Sequence, residues 1–166
     1  MQHIGINDDN YTVNQGGMTM KTLVAYFSAE SGKTRKIAEE LAEKLGAELF
    51  EITPEQPYTA ADLKWTNPLA RCNKEKLGKK EVPVSGKVDN WDEYDTVYLG
   101  FPIWYYGAPN VVNTFCKGYD WNGKTIHIFA TSGSSGIGKT AEKLKPYVNG
   151  AEIVKAVRVT SVSEVE

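Results

Sequence analysis

Three short stretches hold the residues best suited to chemistry, and each follows an apolar run. Residues 28–34, SAESGKT, offer hydroxyls from Ser28, Ser31 and Thr34, a cation from Lys33 and, at Gly32, a backbone that another group can approach closely. Placed at the start of a helix, such a stretch suits a phosphate, because the helix N-terminus presents N–H donors and the positive end of its dipole. The competing reading is that Ser31 only caps the helix.

Residues 102–107, PIWYYG, set Trp104, Tyr105 and Tyr106 in a row between Pro102 and Gly107. One of these rings is expected to fold back onto the sheet edge, but so short a loop leaves no room for all three, so a flat ligand should stack there. Residues 131–140, TSGSSGIGKT, form the third stretch, in which Ser132, Gly133, Ser134 and Gly136 leave backbone groups free to hydrogen-bond a polar ring edge or a sugar chain. An ordinary Gly/Ser turn capping a helix is the competing reading. Within it, GSSGIGKT also fits the G-x-x-x-x-G-K-[ST] spacing of a nucleoside triphosphate loop. The context argues against that reading, since the neighbouring strands end near Phe101 and Val159 rather than at an Asp that would hold magnesium.

These stretches need a frame. TLVAYF (22–27) is a short apolar, β-branched and aromatic run of the kind that forms a buried strand. Residues 33–45 place Ile37, Leu41 and Leu45 at helical spacing, with Gly46 as a stop. AELFEI (47–52) reads as the next strand, and strand, helix, strand in so few residues is a right-handed βαβ unit. Residues 53–90 show weak periodicity, with one helix expected between Ala60 and Leu77. Further strands are expected at 95–102, 125–132 and 152–159. Helices are expected after Pro109, with Val111, Val112 and Phe115 on one side, and at 139–148. Five near-continuous apolar strands alternating with helices predict an α/β fold, a doubly wound five-stranded parallel sheet.

Ser163 reads as a helix N-cap ahead of Glu164 and Glu166, so the closing C-terminal helix is expected to be missing. Its absence would bare apolar surface beside the first helix. The expected cover is the N-terminal segment, through Ile4, Ile6 and Tyr11, or a second copy in a homodimer. Residues 1–19 are expected to be an N-terminal extension and residues 20–166 the domain.

Composition narrows the function. Apolar residues make up 41% and charged residues 24% of 166 residues, the balance of one globular domain. The net charge of −2 leaves no dense basic face for nucleic acid. Cys72 and Cys116 lack metal-ligand spacing and are too few for a disulfide framework, so they are expected as reduced thiols in the cytoplasm. No apolar run reaches the length of a membrane span. His127 alternates with apolar neighbours and reads as an interior or edge residue, and neither it nor His3 is expected to act as a base or metal ligand.

The three loops together resemble the flavodoxin family. The residues carrying the likeness are YFSAESGKT, LGFPIWYYGAPNVVNTF and KTIHIFATSGSSGIG, in that order, within a span of roughly Thr22 to Val159. The resemblance implies strand order 2-1-3-4-5 and flavin mononucleotide (FMN) as cofactor. It also implies that Ser28, Ser31, Gly32, Lys33 and Thr34 hold its phosphate, that Pro102, Trp104, Tyr105, Tyr106 and Gly107 wall its ring, and that Ser132, Gly133, Ser134 and Gly136 border ring and ribityl chain. Electron transfer with a redox partner protein or small-molecule acceptor is the implied role, and FMN-dependent reduction of quinones or similar acceptors the alternative. Lys33 stands where many members have Asn, and the chain is far less acidic than many carrier flavodoxins, which weakens the carrier reading without touching the cofactor.

Overall fold

The structure, a computed structural model, describes residues 6–7, 11–13, 19–29, 32–64, 66–77, 81–132 and 136–165. β1 (Ile6–Asn7) and β2 (Tyr11–Val13) pair antiparallel, and β2 pairs antiparallel with the start of β3 (Thr19–Tyr26). The N-terminal segment thus adds strands to the sheet. After β3 come α1 (Lys33–Leu45), β4 (Glu48–Glu51), β5 (Thr53–Pro54), α2 (Arg71–Leu77) and β6 (Val84–Ser85). Next are β7 (Tyr94–Pro102), α3 (Asn110–Lys117), β8 (Thr125–Thr131), α4 (Thr140–Leu144) and β9 (Glu152–Arg158). Parallel pairing joins β4 to β3, β3 to β7, β7 to β8 and β8 to β9, which is the expected order 2-1-3-4-5.

Side chains alternate across the sheet as the pleat requires, so each central strand feeds both layers. Leu23, Val97, Leu99, Ile126 and Ile128 pack on one side with Val111, Val112 and Phe115 of α3. Val24, Tyr26 and Phe129 pack on the other with Ile37, Ala38 and Leu41 of α1. Strands buried on both faces read as near-continuous apolar runs, which is why β3, β7 and β8 were legible.

Three expectations change. The helix expected within 60–77 is confined to α2, because Pro68 disfavours helix before it and Asn67 turns the chain locally, its Oδ1 accepting from the Leu69 N–H at 3.0 Å. The helix expected at 139–148 is α only over α4 and tightens to a 3₁₀ turn at Lys145–Tyr147, where Pro146 supplies no N–H.

At the C-terminus the chain forms a 3₁₀ turn, Val162–Glu164, with Ser161 rather than Ser163 at its N-cap position. Val159 and Val165 are buried against the α1 layer, so the end of the chain itself covers the sheet beside α1. Farther along that face, Tyr98 and His127 stack at 4.4 Å between ring centroids and are half-buried. The surface expected to be bare and apolar is therefore partly covered and partly aromatic and polar. Ile4 lies outside the described residues, as do the side chains of Ile6 and Tyr11. Among the described residues no helix is long and apolar enough to cross a membrane, and no cluster of His, Cys, Asp and Glu could hold a metal ion.

Candidate functional site

Because β3, β7 and β8 run parallel, the loops that follow them meet at one end of the sheet. The Phe27 N–H donates to the Gly100 carbonyl at 3.0 Å and the Ile103 N–H to the Thr131 carbonyl at 2.8 Å. The Thr34 and Thr131 hydroxyls, 97 residues apart in sequence, hydrogen-bond at 2.8 Å in the interior. These contacts fix the first, second and third loops relative to one another.

In the first loop Gly32 has φ +72° and serves as N-cap of α1, a left-handed conformation that side chains rarely adopt. A glycine at this point brings no side chain to the helix end, and no acid stands in the first turn, so the positive end of α1 is not neutralised by a carboxylate of its own. Lys33 is exposed beside it. Ser28 Oγ accepts the Arg35 N–H at 3.1 Å. Thr34 is buried, and its bond to the Thr131 hydroxyl ties the first loop to the third. Ser31 lies outside the described residues. A cleft of about 320 Å³ opens alongside, lined by Ser28, Gly32, Arg35, Pro57 and Tyr58 among others. Arg35, ion-paired with Glu51 at 2.6 Å, and Tyr58 were not singled out from sequence. In sequence Arg35 is one charge among several between the apolar positions of α1, and Tyr58 sits in a stretch without periodicity.

The second loop is a two-residue hairpin. Trp104 and Gly107 exchange backbone hydrogen bonds at 2.9 and 3.1 Å, and the residues between them, Tyr105 and Tyr106, have φ of +52° and +68°. Positive φ at both central positions is the signature of a type I′ turn, normally built from Asn and Gly. Here two tyrosines hold it, so the loop stores backbone strain of the kind found at ligand clamps. Two of the three rings fold inward. Trp104 meets Phe27 and Tyr58 edge-on at 5.6 and 5.4 Å. The Tyr105 hydroxyl is buried beside the Cys72 thiol, without a nitrogen or oxygen partner among the described residues. Burial and then the neighbouring thiol push its pKa up. Tyr106 alone stays out, 72% exposed. Pro102 ends β7 half-buried, and Gly107 is buried.

In the third loop Arg158 Nε donates to the Ser132 hydroxyl at 2.8 Å, and space beside Gly136 is open. Gly133 and Ser134 lie outside the described residues. The triphosphate-loop reading fails on Thr140, whose hydroxyl would have to face a metal ion. It is fully buried and donates to the Ile137 carbonyl.

Residues 21–162 match the model of the flavodoxin family. The chain belongs to the flavodoxin family. It is 39% identical to a candidate flavoprotein from Bacteroides eggerthii DSM 20697, over 87% of this chain and 92% of that one, with a TM-score of 0.78. A candidate flavoprotein from Bacteroides uniformis ATCC 8492 gives the same identity and TM-score over 88% and 95%. A flavoprotein from Lactobacillus acidophilus NCFM, solved in complex with FMN, shares the fold at 24% identity and a TM-score of 0.64, over 84% and 93%. None of the curated proteins compared matches the chain.

The residues present fit the flavodoxin cofactor. A helix N-terminus with no acid in its first turn and Lys33 exposed beside it suits a phosphate, and an exposed tyrosine ring on a strained hairpin suits a planar ring system.

Proposed function

We propose that this flavodoxin holds FMN across its three loops and passes electrons through it to a redox partner protein or a small acceptor. The arrangement that carries this reading is the outward Tyr106 ring, held on the same framework as the α1 N-terminus through the Thr34–Thr131 bond. Gly32, Lys33 and Ser28 would take the phosphate, together with Ser31. Tyr106 would stack on the ring, with Trp104, Tyr105, Pro102 and Gly107 shaping the hairpin behind it. Ser132, Gly133, Ser134 and Gly136 would border the ring edge and ribityl chain. The bound flavin supplies the redox chemistry, and the chain supplies orientation, exclusion of water and hydrogen bonds. No side chain is then catalytic. Buried, unpaired Cys72 and Cys116 agree with a reducing compartment, and we place the protein in the cytoplasm on that basis.

Purified protein should be yellow and bind FMN far more tightly than riboflavin, because only FMN reaches the helix end with a phosphate. Equal affinities would overturn the role given to Lys33 and Gly32. Reduction of a small acceptor is the second reading, favoured by the cationic cleft beside Tyr106 described next. Sustained turnover with NADPH and a quinone supports it, and failure to turn over leaves the carrier.

A further inference from the structure

Residues of α2, α3 and α4, with Glu81 and Tyr147, line a second cleft of about 450 Å³. Its lining includes Lys76, Lys117 and Lys143 against one acid, Glu81, with Asn113 and Tyr147 between them. Glu81 is engaged by Lys117 at 2.9 Å, which leaves Lys76 and Lys143 without a carboxylate among the described residues. A chain of net charge −2 thus gathers uncompensated positive charge in one place.

The two lysines are held close together. A Cβ built on Gly107 would meet Lys143 Cδ at 3.3 Å and Lys76 Nζ at 3.9 Å, so both flank the end of the aromatic hairpin. Lys76 Nζ donates to the Ala108 carbonyl at 2.8 Å, which fixes the amine and leaves two of its donors available. Lys143 Nζ lies 5.8 Å from the Tyr106 ring centroid. Burial, and then repulsion from Lys143, depress the Lys76 pKa. Like charges pressed together at a partly desolvated position lack only an anion to relieve them.

We propose that this cleft is a phosphate-binding site, in which Lys76 and Lys143 hold a phosphate group of the small molecule that exchanges electrons with the flavin. Its volume lies within the roughly 300–1,000 Å³ of small-molecule sites, and two of its lining residues, Lys143 and Lys76, reach the hairpin at Tyr106 and Gly107, residues assigned above to the ring wall. A nicotinamide dinucleotide has the required chemistry, with phosphates for the lysines and a planar hydride donor for the flavin. Free phosphate shares only the first half. The proposal rests on the FMN reading for its role and on the lysine pair alone for its site.

The test is calorimetric titration of inorganic phosphate, pyrophosphate and NADPH into the FMN-loaded protein at low ionic strength. The parent is compared with Lys143→Glu and, because Lys76 is also tied to the Ala108 carbonyl, separately with Lys76→Met. Charge-assisted contacts of this kind are worth about tenfold or more in affinity. Pyrophosphate and NADPH should therefore bind the parent and lose at least that factor in Lys143→Glu, while FMN affinity and visible spectrum stay unchanged. Binding of phosphate and pyrophosphate without NADPH upholds the anion site and overturns its use by a dinucleotide. If none of the three binds, or Lys143→Glu binds all as well as the parent, the site is refuted. A colourless protein that still binds pyrophosphate through Lys143 would refute the flavin reading and leave the anion site standing.

Discussion

Tyr105 and Tyr106 occupy backbone positions that favour Asn and Gly, and left-handed φ costs a residue with a Cβ about 1 kcal/mol or more. Tyr106 returns little of that through burial, being 72% exposed. Tyr106→Gly should therefore stabilise the cofactor-free protein by about 1 kcal/mol in urea denaturation. The same change should weaken FMN binding and raise the midpoint potential. Reduction adds electron density to the flavin, and an electron-rich ring face packed against it opposes that gain. Unchanged potential and affinity would make Tyr106 an ornament of the turn. Trp104 behaves differently because it sits edge-on between Phe27 and Tyr58. Trp104→Ala should cost roughly 3 kcal/mol of stability, a loss that denaturation reads directly in the cofactor-free protein.

At the scale of elements, the packing of the sheet on α1 depends on one absent Cβ. A Cβ on Gly100 of β7 would lie 2.2 Å from Phe129 Cζ, inside a buried ring that cannot swing aside. Gly100→Ala should destabilise by about 1–3 kcal/mol, and Phe129→Leu should recover part of it in a double-mutant cycle. Strict additivity of the two changes would show that the contact is not the cause. The elements most legible in the sequence are those with a single dominant signal. β3, β7 and β8 announce themselves by apolar runs, and α1 by Ile37, Leu41 and the Gly46 stop. The segment 53–90 was opaque because its order comes from partners remote in sequence. The Val82 N–H donates to the Thr114 hydroxyl at 3.3 Å, the Val88 N–H to the Tyr119 hydroxyl at 2.9 Å, and Asn110 Nδ2 to the Glu75 carbonyl at 2.9 Å. The three loops gathered at this end of the sheet were legible as loops and in their order. Their mutual fixation was not, since nothing local marks Thr34 and Thr131 as partners. The inward turn of Trp104 and Tyr105 likewise follows from Phe27, Tyr58 and Cys72, which only the fold brings there.

For the molecule as a whole, the sheet face beyond α1 sets a dependence on pH. His127 is half-buried there, stacked on Tyr98 of β7 and paired in register with Lys155 of β9. Burial, and then the charge of Lys155, hold its pKa below the usual histidine value. Between that lowered value and the roughly 6.5 of an unfolded histidine, the unfolded chain binds a proton that the folded chain refuses. The unfolded state then carries more bound protons, so stability rises with pH through this window and is lost as pH falls from about 6.5. Denaturant midpoints should therefore drop between pH 7.5 and pH 5.5, above the range where carboxylates dominate. His127→Phe keeps a ring against Tyr98 and removes the titration, so its midpoint should change less over the same interval. The substitution should also relieve the repulsion from Lys155 that the imidazolium would feel. A His127→Phe protein with the parent's full pH response would place the proton-linked step elsewhere, and would reduce the Tyr98–His127 stack to simple packing on a half-buried part of the sheet.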